Sequence, residues 1–93
     1  MTTATDEHVA YGAGIILGRR QALAAAADGA TPADLAAHAT SLDHRADAVE
    51  NHRRAQALRG WAEGVRRQAR SFAVLEATTR AERLVRRTHA HAR

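Results

Sequence analysis

The chain's only proline is Pro32, and from there to Arg93 nothing in the covalent backbone forbids a continuous helix. The residues around that proline are the strongest punctuation in the sequence. In Asp28-Gly29-Ala30-Thr31-Pro32-Ala33-Asp34, Gly29 can take the left-handed conformation that closes a helix. Thr31 suits an N-cap, Pro32 suits a first helical turn, and Asp34 sets negative charge at the positive end of the helix dipole. Together they predict a helix ending near Asp28, a turn over 29–31, and a second helix starting at Pro32.

Ahead of the turn, Val9, Ile16 and Leu23 recur every seven residues, with Ala13 and Ala27 in the intervening half-turns. That period predicts an amphipathic helix over about 6–28. Gly12, Gly14 and Gly18 interrupt it, each costing up to about 1 kcal/mol relative to alanine, and close approach by another backbone is a reason to keep them. The run Gly12-Ala13-Gly14-Ile15-Ile16-Leu17-Gly18 is not a dinucleotide loop, which must follow a buried strand inside a βαβ unit.

Beyond the turn, Leu35, Ala39, Leu42, Ala46 and Val49 make one helical stripe, and Leu58, Trp61, Val65, Ala69 and Phe72 make another. At 100° per residue the apolar face rotates by roughly 110° between Val49 and Leu58. Arg53 falls where the first stripe should continue. Either the helix breaks within 51–60 or one long helix changes the partner it faces. Past Leu75 the pattern weakens: Glu76 and Arg83 lie on the former apolar face, while Leu84 and Val85 lie off it. Residues 89–93 read as a frayed tail. A continuous helix over 32–88 spans roughly 85 Å and the first helix only about 35 Å, so one cannot cover the other. The fold class is all-α, one domain over residues 1–93: a helical hairpin or a three-helix bundle of long amphipathic helices. The absence of good turn chemistry at 51–60 favours the hairpin, associating as a coiled-coil-like oligomer that covers the second stripe with another copy.

Self-association also follows from the shortage of large side chains. There is one Phe, one Trp, one Tyr and one Met, and alanine supplies most of the apolar content. At about 25 cal/mol per Å² buried, such a core leaves a monomer marginal. With no cysteine there is no disulfide, thiolate metal site or thiol nucleophile. Asp6 and Glu7 replace the basic front of a secretory signal. The longest apolar run, residues 9–18, is about half a membrane span. A cytoplasmic protein with no membrane association is the expectation.

Charge is unevenly spread. Residues 1–31 carry Asp6, Glu7 and Asp28 against Arg19 and Arg20, a net −1; residues 32–52 carry Asp34, Asp43, Asp47 and Glu50 against Arg45, a net −3. Residues 53–93 carry eleven arginines against Glu63, Glu76 and Glu82, a net +8, which restores the total of +4. Arg59, Arg66, Arg67 and Arg70, followed by Arg80, Arg83, Arg86 and Arg87, make an arginine-rich helical face that could track phosphates. It carries no base-stacking aromatics. The competing reading is a solvated face, or one paired with the acidic segment of another copy.

Catalysis has little to build on. Ser41 and Ser71 are the only serines, neither in an elbow-type turn, and no serine–histidine–acid set can be argued. His38, His44 and His52 do not share the i,i+4 face that two zinc ligands on a helix need. No enzyme activity, cofactor, metal or small-molecule substrate is expected. The sequence points instead to a non-enzymatic interaction module binding another protein by helix packing, of the kind a small phage- or plasmid-encoded regulator uses on a host protein. Leu58, Trp61, Val65 and Phe72 are the candidate anchors. The alternative is a nucleic-acid binder using the arginines of 53–87.

Overall fold

The computed structural model describes residues 4–91 of the 93-residue chain and is all-helical there: α1 (Ala4–Ala27), α2 (Pro32–Asp47) and α3 (His52–His91). The predicted turn forms as read. Gly29 closes α1 with φ of 101°; its N–H donates to the Ala26 carbonyl at 3.0 Å, and that of Ala30 to the Ala25 carbonyl at 2.9 Å, the paired bonds of a Schellman cap. Thr31 caps α2 reciprocally. Its Oγ1 accepts from the Asp34 N–H at 3.1 Å, and its own N–H donates to Asp34 Oδ2 at 2.9 Å.

The second interruption lies at 48–51, just ahead of the expected 51–60, and it does have end chemistry. Asn51 Oδ1 accepts from the Arg54 N–H at 3.0 Å, and the Asn51 carbonyl takes the first helical bond from Ala55 at 2.9 Å. That is an asparagine N-cap, and the long helix of a hairpin is therefore cut into α2 and α3. From His52 the helix then runs unbroken through Gly60 to His91. The expected fraying over 89–93 is not seen as far as His91, and the last two residues lie outside the described residues.

α3 is the spine. α1 and α2 each pack along it and touch one another little. α1 runs parallel to α3, with Tyr11 beside Gly60 and Ile15 beside Gly64, and α2 runs back antiparallel, with Asp47 at Arg59 and Asp43 at Arg66. The core is Ala22, Leu35, Ala39, Leu42, Ala62, Val65 and Ala69, with Leu58, Trp61 and Phe72 packed on it. α3 outruns its neighbours: every residue from Ala73 to Ala90 is exposed, and the molecule measures 71 × 21 × 18 Å.

α1 meets α3 through glycine rather than through its large side chains. Gly14 and Gly18 on α1 face Gly60 and Gly64 on α3, each pair four residues apart and so on one side of its helix. A Cβ on Gly60 would run into the Tyr11 carbonyl, one on Gly64 into the Ile15 carbonyl, and one on Gly18 into the Trp61 carbonyl. The two backbones approach as closely as glycine permits. The inward face of α1 is Ala10, Gly14, Gly18 and Ala22, all buried, which leaves the Val9–Ile16–Leu23 stripe pointing outward. Gly12 has open space around it and takes no part in the contact.

Candidate interaction surfaces

Among the expected anchors, Val65 is fully buried, and Leu58, Trp61 and Phe72 are half-buried against the core. The stripe read as an anchor is already occupied by the chain's own helices. At its centre the Trp61 indole N–H donates to Gln21 Oε1, and the same oxygen lies 3.0 Å from His38 Nε2. Indole nitrogen is only a donor. Gln21 must therefore present its oxygen, and His38 must carry its proton on Nε2. One amide oxygen so joins all three helices.

The eight arginines proposed for phosphates divide into two groups. Arg59 pairs with Asp47 at 3.1 Å and Arg66 pairs with Asp43, both across the α2–α3 contact. Arg67 and Arg70 reach Glu63 at 2.9 and 3.4 Å along α3. Hydrogen bonding from Arg67, reinforced by Arg70, lowers the Glu63 carboxyl below its usual range against a smaller opposing effect of burial. The acidic face of α2 thus serves the basic segment of its own chain. Arg80, Arg83, Arg86 and Arg87 lie on the projecting end of α3 with no ion pair among the described residues.

That projecting end is an amphipathic arm. Val74, Ala77, Ala81, Leu84 and Thr88 follow a 3-4-3-4 spacing, the a and d positions of a heptad, with Val85 beside them. Val74, Leu84 and Val85 are more than half exposed. At 100° per residue Val74, Ala77, Ala81, Leu84 and Val85 lie about 180°, 120°, 160°, 100° and 200° around the axis from Val65. Ala77 and Leu84 are in line with Arg59 and Arg66, which pair with α2, and the seam is open because α3 runs on past both neighbours. This explains why the sequence pattern fades beyond Leu75: the apolar face moves round the axis, off the line of Val65 and Phe72. Arg80 and Arg87 flank the seam at the g positions, and Arg83 and Arg86 lie further round.

The outward face of α1 is the other uncovered apolar surface. Val9 is 62%, Ile16 56% and Leu23 51% exposed, with Leu17 alongside. α1 is consequently apolar on two sides, small residues inward and large ones outward, a pattern found where a helix is covered on both. The sequence reading identified this stripe but not the direction it faces; the matching four-residue glycine spacings, 14 to 18 and 60 to 64, were the available signal.

No cluster of three or more histidine, aspartate or glutamate side chains able to hold a metal occurs among the described residues, and no helix there is long and apolar enough to cross a membrane. No protein-family model, curated protein or solved structure matches the chain.

Proposed function

We propose that this chain is a non-enzymatic interaction module that docks a helix of another protein along the seam of its α3 arm. One observation carries the reading: Val74, Ala77, Ala81, Leu84 and Val85 form a heptad seam, exposed along its length where α3 runs on past the chain's own helices. A seam of that period fits a second helix, knobs into holes. Arg80 and Arg87 beside it favour a partner helix with acidic flanks. Leu58, Trp61, Val65 and Phe72 then stiffen the spine that presents the arm, and the self-association expected from the sequence uses a different surface. A small regulator that captures another protein is the role this best fits.

The test is a pull-down with the tagged chain from bacterial lysate, with and without nuclease, beside a variant carrying Val74→Glu and Leu84→Glu. Both substitutions fall on exposed positions, so the bundle stays folded. A discrete protein retained after nuclease and lost with the double variant supports the reading. Capture unaffected by the variant defeats it.

A second reading rests on the four arm arginines, which have no ion pair among the described residues and could contact phosphate. Here captured material is mostly nucleic acid, disappears with nuclease, and weakens steeply with salt. Charge reversal at Arg83 and Arg87 then removes binding without unfolding the chain.

A further inference from the structure

We infer that the outward face of α1 is the surface on which a second copy of this chain docks, the two α1 helices lying antiparallel about a two-fold axis at Ile16. The inference deepens the reading of the chain as a helix-docking module by placing its self-association. The outward face of α1 exposes large apolar side chains in a regular pattern: Val9, Ile16 and Leu23 stand two heptads end to end, with Ile16 midway. A face symmetric about its middle residue is self-complementary under a two-fold, as a closed dimer requires. Antiparallel pairing sets Val9 against Leu23 of the second copy twice, and Ile16 against its own equivalent once.

Charge selects the antiparallel direction. Within α1 the first turn carries Asp6 and Glu7, and the second half carries Arg19 and Arg20. Antiparallel helices place each acidic half beside a basic one, whereas parallel helices stack Arg20 on Arg20 in the middle of the apolar stripe. The same pairing sets Arg20 level with Gly12 of the second copy, a residue with open space around it. The arginine stem lies across that gap and carries its guanidinium toward the acidic turn. This gives Gly12, which has no part in the α1–α3 contact, a reason to be small. Because α1 and α3 run parallel, the two arms leave the dimer from opposite ends and both stay free for partner helices.

The chain has no cysteine, so an introduced one reports pairing directly. Val9→Cys and Leu23→Cys chains, each exposed in the single copy, are purified separately, mixed in equal amounts and oxidised. The expected result is a mixed disulfide between the two variants, with each alone cross-linking at least tenfold less. Disulfides of Val9→Cys with itself, or cross-linking no faster than for a control cysteine at exposed Ala36, overturn the inference. Sedimentation of the unmodified chain supplies an independent reading: a concentration-dependent dimer abolished by Ile16→Glu is expected, and a monomer throughout the micromolar range overturns it. Circular dichroism confirms that Ile16→Glu stays helical. All of this uses the purified chain alone, so its failure leaves partner docking on the arm to be judged by the pull-down.

Discussion

The indole N–H of Trp61 on α3 donates to the side-chain oxygen of Gln21 on α1, forty residues earlier in the chain. His38 on α2 donates to the same oxygen, so the packing of two helices on a third is fixed by one amide as well as by apolar contact. Gln21→Leu strands the half-buried indole donor and should cost about 1–3 kcal/mol. Trp61→Phe removes the donor itself, so adding Gln21→Leu to it should cost less than Gln21→Leu alone. Urea unfolding of the two single variants and the double variant measures that coupling; strictly additive costs would show that the bond contributes nothing.

The glycines separate into two kinds, with opposite predicted signs. Alanine at Gly60 or Gly64 drives a methyl into a carbonyl of α1, and overpacking of this sort costs about 1–3 kcal/mol or more. Alanine at Gly12 meets nothing within 4 Å, and replacing a helical glycine where the added methyl has room gains up to about 1 kcal/mol. Melting curves at low protein concentration, where single copies dominate, test both. A Gly64→Ala chain as stable as the parent would mean that α1 does not lie so close to α3.

How much of this architecture was legible depended on whether a local signal existed. The turn over 29–31 was readable to within a residue because Gly29, Thr31, Pro32 and Asp34 each act on backbone no more than a few positions away. The α2 stripe was readable over Leu35, Ala39, Leu42 and Ala46, where period and burial coincide, but its expected last member, Val49, lies beyond the end of α2. The break at 48–51 was not, because its only local mark is Asn51, with no glycine or proline. α1 misled more deeply. Hydrophobic periodicity follows the largest side chains, while the helix packs by its smallest, so Val9, Ile16 and Leu23 gave the helix but not the face by which it packs. The arginine face was half legible: Arg59 and Arg66 are taken by α2, which needs the three-dimensional fold to see.

The pH dependence of stability should show the two depressed carboxyls. Asp34 is held below its usual range by the Thr31 backbone N–H and then the Thr31 hydroxyl, and Glu63 by Arg67 and Arg70. A carboxyl that gives up its proton more readily when folded binds fewer protons there than in the unfolded chain. The stability it contributes is complete above the ordinary carboxylate range and is lost as pH falls through the lowered value. The melting temperature should therefore hold near neutrality and decline on acidification. Glu63→Gln should lower it at pH 7 and make the decline shallower. A decline just as steep in Glu63→Gln would assign it to other groups.

The ion pairs between α2 and α3 should differ in weight. Asp43 and Arg66 are both about one-third exposed, whereas Asp47 is 65% exposed opposite Arg59. A pair in water contributes about 0–1 kcal/mol and is screened by salt. Asp47→Asn should therefore change stability little, and less still at high salt. Asp43→Asn should cost more, about 1 kcal/mol, and keep most of that cost in salt. Equal and equally screened effects would place both pairs at the surface.

The arm should be dispensable for folding and necessary for binding. None of the residues from Ala73 to Ala90 is buried, so removing those beyond Ala77 takes away no core residue among those described while deleting Ala81, Leu84 and Val85 with Arg80, Arg83, Arg86 and Arg87. Since surface changes away from specific contacts alter stability by only about 0.5 kcal/mol, the shortened chain should unfold at nearly the parent denaturant concentration. Dimerisation through α1 should also persist, because the two-fold at Ile16 lies far from the arm. Capture of partner should be lost. A shortened chain that unfolds at markedly lower denaturant would mean that the arm folds back on the bundle in solution, and its seam would then be core rather than a docking surface.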